Sequence, residues 1–197
     1  MPKTFADPTQ QARIRALINC QVETGLAIRD TVQLERSSIQ NGWLRIERQK
    51  TGRPVKQPLR PELYEELMAV TNGNPRYVFW NGTSLPETAT GRWQADLKRL
   101  MEDAGVWIRG NLSHRFRDTF VSKALASGWT LGDVADALGD TLAIVEKHYK
   151  SLDDKRQEAR LAKLPRGAWA KTRMTLSSEQ RIVCATSLTV NKLLIAT

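Results

Sequence analysis

The chain has 197 residues, enough to bury one good core with a tail but tight for two full domains. Lys and Arg number 30 against 21 Asp and Glu, a net charge of +9 that favours a polyanionic partner. No run of about 18 apolar residues occurs, and the opening MPKTFADPTQQARIRALINC lacks the apolar stretch of a signal peptide, so no membrane partner and a cytoplasmic location are expected.

Residues 8 to 20 read as a helix, with Ile14, Leu17 and Ile18 spaced three and four apart. ETGLAIRDTVQL follows as a glycine turn into a second helix carrying Leu26, Ile28, Val32 and Leu34. In GWLRIERQKTGRPVKQPL the period changes to two. Leu44, Ile46, Arg48 and Lys50 fall on one side of a strand, and Trp43, Arg45, Glu47 and Gln49 on the other. Thr51, Gly52 and Pro54 turn the chain back through Val55 and Gln57, which makes a hairpin with a basic tip. Pro61 starts a helix, PELYEELMAV, because its missing N–H costs nothing in the first turn. A polar loop at Asn72, Gly73, Asn74 and Pro75 leads to a short YVFW strand and then to the helix TGRWQADLKRLMEDAG. LSHRFRDTFVSKALASG is a helix expected to be capped by Ser113 and closed by Gly128. In TLGDVADALG, Thr130 and Asp133 form a capping-box pattern and Gly139 ends the helix.

The last helix carries VEKHYKSLDDKRQEARLAKL, and its alternating charges mark a solvated face. Beyond LPRGAWAKTRM the composition shifts to TLSSEQRIVCATSLTVNKLLIAT, poor in charge and without helical period. The expected organisation is one domain over residues 1–170 and a tail over 171–197. The fold class is mainly α with a small antiparallel sheet (α+β). Cys20 and Cys184 match no metal-ligand spacing and read as free thiols, and no metal or other cofactor is expected.

His114 and Arg117, three apart on a helix, share a face and reach one object together. A tyrosine is ordinarily a packing residue, and a basic helix face is ordinarily just solvated. Here an ordered set stands against those readings: an arginine after a glycine turn, a lysine at a hairpin tip, His114 with Arg117, and then Tyr149. TGLAIRD with LERSSI, QKTGRPVKQPL, SHRFRDTFVSKAL and LGDTLAIVEKHY, in that order over residues 20 to 155, resemble the catalytic domain of the tyrosine recombinases, the phage and transposon integrase family.

The resemblance implies that Tyr149 attacks a DNA phosphate, forms a 3′-phosphotyrosyl link and releases a 5′-hydroxyl. Lys50 would protonate the departing oxygen. His114 would handle protons or bond the phosphate, and Arg29 and Arg117 would grip its non-bridging oxygens. The residue types suit these roles. A phenol near pKa 10 needs developing charge stabilised, and an arginine fork donates two hydrogen bonds to a phosphate without losing its proton. The partners implied are double-stranded DNA and further copies of the chain, as a homotetramer on paired sites.

Three positions depart from the family pattern. Ala27 stands where arginine is usual, and Arg29 lies two residues on, a turn of about 200° around a helix. Asp140 stands where histidine or tryptophan is usual; it reads as a cap for the helix that follows, and Asp140→His is expected to raise cleavage. About 20 residues precede the match, too few for the helical DNA-binding domain that the family places there. Two other functions remain open: a DNA-binding remnant silenced at Ala27 and Asp140, and, less favoured by the spacing, a relaxing topoisomerase. His148 and Lys147 read as exposed helix positions, and Trp129 and Trp169 as packing residues.

Overall fold

In a computed structural model of the chain, residues 7–107, 109–110 and 112–162 are described. The expectations for Cys184, Trp169 and the 171–197 tail lie outside them, as does the side chain of Ser113. Seven helices and three strands are described. Three of the helices begin on proline: α1 (Pro8–Thr24), α3 (Pro61–Ala69) and α4 (Pro86–Asp103). Asp7 caps α1 by accepting from the Thr9 N–H. The helix runs four residues past the expected end and stops at Gly25, which adopts a left-handed φ of 67°.

The second helix, α2 (Ile28–Val32), is only five residues long, and Leu26 and Leu34 flank it rather than belong to it. A 3₁₀ turn (Arg36–Ser38) leads into β1 (Ile39–Gln40), β2 (Trp43–Glu47) and β3 (Pro54–Pro58), an antiparallel sheet in that order. Asn41 and Gly42, both with positive φ, turn β1 into β2, the Asn-Gly pairing that suits a tight hairpin. The β2–β3 hairpin has the predicted faces. Leu44 and Arg48 are buried while Trp43, Arg45, Glu47 and Gln49 are exposed, and Leu44 lies opposite Gln57.

YVFW makes a single bridge, Tyr77 to Glu35, rather than a strand. The Asn72 side-chain amide donates to the carbonyls of Tyr77, Val78 and Trp80, so it supplies the donors that a neighbouring strand would have offered. The remaining helices are α5 (Leu112–Ala126), α6 (Leu131–Leu138) and α7 (Leu142–Ala162). The Thr130–Asp133 capping box forms at the start of α6, and Gly139 closes it with φ 59°.

Residues up to Arg156 form one compact unit, and residues 157–162, the end of α7, open a second. The first unit holds two apolar clusters. The larger joins α1 to α4 and the sheet around Leu17, Cys20, Leu26, Leu34, Leu44, Leu67, Phe79 and Leu97. The smaller joins α5, α6 and the start of α7 around Phe120, Val121, Leu125, Val134, Leu138 and Val145. Trp129, partly open to solvent, stands edge-on to Phe120 at 6.0 Å. No helix among the described residues is long and apolar enough to cross a membrane.

Candidate active site

The seam between the two clusters is polar. Gln57 on β3 donates through Nε2 to the Thr24 and Ala137 carbonyls, bridging α1 to α6. Gly25 packs so tightly there that a Cβ would lie 2.5 Å from Leu138 Cδ2 and 2.6 Å from Phe120 Cδ1. Gly139 is equally constrained, since a Cβ would meet Val55 Cγ2 at 2.6 Å and the Arg48 stem at 3.0 Å. Both turns therefore need glycine for φ and for space.

Arg117 of α5 enters this seam buried. Its Nε donates to the Gly25 carbonyl at 2.9 Å and its Nη1 to Asp140 Oδ2 at 2.7 Å, while Nη2 is buried with no hydrogen-bond partner. Arg48, just past β2, comes to the other oxygen of the same carboxylate. Its Nη1 donates to Asp140 Oδ1 at 3.0 Å and to the Leu138 carbonyl at 2.7 Å, and its Nε to Asp30 Oδ2 at 3.2 Å. Asp30 also accepts from the Gln49 N–H, and Arg53 reaches the Asp140 carbonyl, so the root of the hairpin is tied to α2 and to the α6–α7 turn. Burial pushes the Arg117 guanidinium below the usual arginine value, and the neighbouring Arg48 charge adds to the shift. The Asp140 carboxylate opposes both.

Asp140 is therefore not the cap of α7. Thr141 does that work, its Oγ1 accepting from the Ile144 N–H, and the Asp140 carboxylate is drawn to two buried guanidinia instead. Charge-assisted bonds of this kind outweigh a single neutral capping bond.

Tyr149, two turns into α7, packs half-buried against the smaller cluster. Its hydroxyl donates to Asp118 Oδ1 at 2.8 Å, one residue beyond Arg117 on α5. Burial pushes the phenol above its ordinary value, and the bond to Asp118 and that carboxylate's charge push it further. The Arg117 charge acts in the opposite direction.

The other expected site residues lie at different distances from this centre. Lys50 is exposed on the hairpin, two residues past Arg48. His114 is exposed near the start of α5, three residues before Arg117, and has no hydrogen bond or ion pair among the described residues. Arg29 is bonded elsewhere: its Nη2 meets Glu87 of α4 at 2.5 Å, with half the side chain in solvent. The five side chains expected to converge are thus represented at the seam by Arg117 with Tyr149 close by, while Arg48, Asp30 and Asp118 are residues that sequence reasoning passed over. Arg48 carried one signal, since it falls on the inward side of a strand where an arginine requires a partner.

A family model described as the phage integrase family matches residues 3–156. No curated protein sequence matches the chain. The fold resembles solved structures of recombinases and integrases at low identity. The XerA recombinase shares 17% identity at a TM-score of 0.60, covering 80% of this chain and 59% of that one. The XerH site-specific recombinase, bound to a palindromic difH substrate in a post-cleavage complex, shares 21% at 0.60, covering 85% and 49%. The catalytic domain of bacteriophage HP1 integrase shares 14% at 0.53, covering 83% and 96%. The chain thus spans roughly half to three fifths of the Xer structures and nearly the whole of the phage catalytic domain. With the family model spanning most of its length, and the same mainly helical fold with a small antiparallel sheet, the chain belongs to the phage integrase family.

Proposed function

We propose that the chain is a tyrosine-type site-specific recombinase that cleaves and rejoins DNA strands, the chemistry by which a mobile element is integrated or excised. One observation carries the reading: the Tyr149 hydroxyl stands on α7 beside a buried Arg117 whose Nη2 has no partner. A buried guanidinium donor left open is costly unless an acceptor arrives, and a DNA phosphate oxygen is such an acceptor.

In the forward step the Tyr149 oxygen bonds to the scissile phosphorus as the bond from phosphorus to the 5′ oxygen breaks. The phenolic proton passes to the Asp118 carboxylate that already accepts it, and the leaving 5′ oxygen takes a proton from Lys50 at the hairpin tip. Arg117 stabilises the charge that builds on the phosphoryl oxygens, and His114, one turn earlier, bonds the phosphate from the solvent side. A 5′-hydroxyl from another strand reverses the step without external energy, because the phosphotyrosyl link conserves that of the diester. The net charge of +9 supplies the attraction to duplex DNA, and the XerH structure bound to DNA supports the same partner here. Assembly of four protomers on paired sites remains part of the proposal.

A second reading, a silent DNA-binding module, is favoured by Ala27 and by the raised Tyr149 pKa. The test separates them. The full chain is incubated with a pool of duplexes nicked near a randomised scissile position, and covalent protein–DNA adducts are isolated. An adduct in the parent that Tyr149→Phe abolishes supports the recombinase, and salt-sensitive binding with no adduct in the parent overturns it.

A further inference from the structure

We infer that Arg48 acts with Arg117 as the second guanidinium that receives the scissile phosphate, in place of the arginine missing at position 27. The inference rests on the recombinase reading above and assigns the site a residue that the order of its motifs did not reveal.

The two arginines are held in the same way. Each uses Nε and Nη1 on protein acceptors: Arg117 on the Gly25 carbonyl and Asp140, Arg48 on Asp30, the Leu138 carbonyl and Asp140. Each leaves Nη2 without a partner among the described residues, and in Arg117 that nitrogen is fully buried. A guanidinium carries two N–H bonds on Nη2, so Arg117, fixed by two nitrogen–oxygen contacts, and Arg48, fixed by three, each keep that corner unbonded. Forks locked by packing and by such bonds lose little freedom when an anion arrives.

Asp140 sets their spacing. Its two carboxylate oxygens take one guanidinium each, Oδ1 from Arg48 and Oδ2 from Arg117. The non-bridging oxygens of a phosphodiester are also a pair of acceptors on one atom, so guanidinia arranged around one group are arranged for the other. The neighbouring charges are consistent with this. Asp30 and Asp140 balance Arg48 and Arg117, so the resting cluster is neutral, and Lys50 and Arg53 on the same hairpin add the positive charge that an incoming phosphate meets.

Arg29 does not compete for the role. It is the residue nearest in sequence to the missing arginine, but its guanidinium is bonded to Glu87 on the α4 side of α2. Ile28 starts that helix, so the residue at 27 lies in extended backbone at its N-terminus and Arg29 falls on a different side.

The experiment uses the sequence selected by the parent protein from the nicked pool, synthesised with either a phosphate or a methylphosphonate at the scissile position. The methylphosphonate replaces one charged oxygen with a methyl group and so removes the need for one guanidinium. Arg48→Gln is expected to form about 100-fold less adduct than the parent on phosphate, the usual cost of losing one donor at developing charge, with most of that loss removed on the methylphosphonate. Arg48→Lys, which keeps charge without the fork, stays well below the parent, and Arg29→Gln stays within about threefold of it.

Parent-level adduct in Arg48→Gln, or an equal deficit on both substrates, overturns the inference while the recombinase reading stands. Absence of adduct in the parent overturns both. Should Arg48→Gln fail to fold, a crystal structure of the parent with DNA and vanadate at the scissile position decides. Arg48 Nη2 within hydrogen-bond distance of a vanadate oxygen supports the assignment, and any longer separation overturns it.

Discussion

The two apolar clusters of the first unit are built by different means. The larger one, around α1, α3, α4 and the sheet, closes by apolar contact: Leu17, Leu44, Leu67 and Leu97 are fully buried, and Phe79 meets Trp93 edge-on at 5.9 Å. The smaller one, around α5 and α6, has fewer large side chains, and Tyr149 is part of its covering. Phe116 of α5 reaches into the larger cluster, and beside it a set of buried polar ties through Gln57, Arg48, Arg117 and Asp140 joins the two. The difference teaches where function resides. Apolar packing tolerates many substitutions of similar volume, whereas a buried network requires each partner, and the candidate catalytic groups stand on the network.

The comparison breaks first at Asp140. Asp140→Ala removes the shared partner of two buried guanidinia, whose side chains are 6% and 10% exposed, and a loss of about 3–5 kcal/mol is expected in urea unfolding. The same pairing bears on Asp140→His. An imidazole there leaves the same two cations without their carboxylate, so destabilisation is expected rather than faster cleavage. Parent-like stability in both variants would show that the seam does not depend on this group.

Next is Gly25→Ala, which forces a left-handed φ on a residue with a Cβ and drives that carbon into Leu138 and Phe120. About 2–4 kcal/mol of destabilisation is expected, and a loss under about 1 kcal/mol would mean that the two clusters can slide apart at little cost. Thr130→Ala, which removes the capping box of α6 away from the seam, should cost about 1 kcal/mol and leave adduct formation unchanged in the parent assay.

The finest probe is Asp118→Asn. It removes the negative charge that, with burial, holds the Tyr149 phenol above its ordinary value, so the Tyr149 transition should move to lower pH in an ultraviolet titration. An unmoved or higher transition would remove Asp118 from the account of Tyr149.

Much of this molecule can be read from local rules. The period-two alternation from Trp43 to Gln49 gave the correct faces of the hairpin, and Thr130, Asp133 and Gly139 bounded α6 as expected, because caps and strand faces depend on neighbours within a few residues. The site resisted reading for the opposite reason. Arg48 meets partners 90 and 92 residues away, and no spacing along the chain announces that. Asp140 followed a helix-ending glycine, where a capping role is the local default, but two distant guanidinia outbid the backbone N–H. YVFW had the composition of a strand but pairs with Glu35 in a single bridge only, and the amide of Asn72 takes the carbonyls of Tyr77, Val78 and Trp80. Arg29 matched the motif's order, and only the short span of α2 and the carboxylate of Glu87 show where its side chain goes.

Two of the acceptors that aim the arginines are main-chain carbonyls, those of Gly25 and Leu138. A carbonyl of this kind cannot be deleted by replacing a side chain, since every amino acid brings its own. The orientation of both forks is therefore stored partly in the path of the backbone, and it persists through any exchange of residues that leaves the two turns in place.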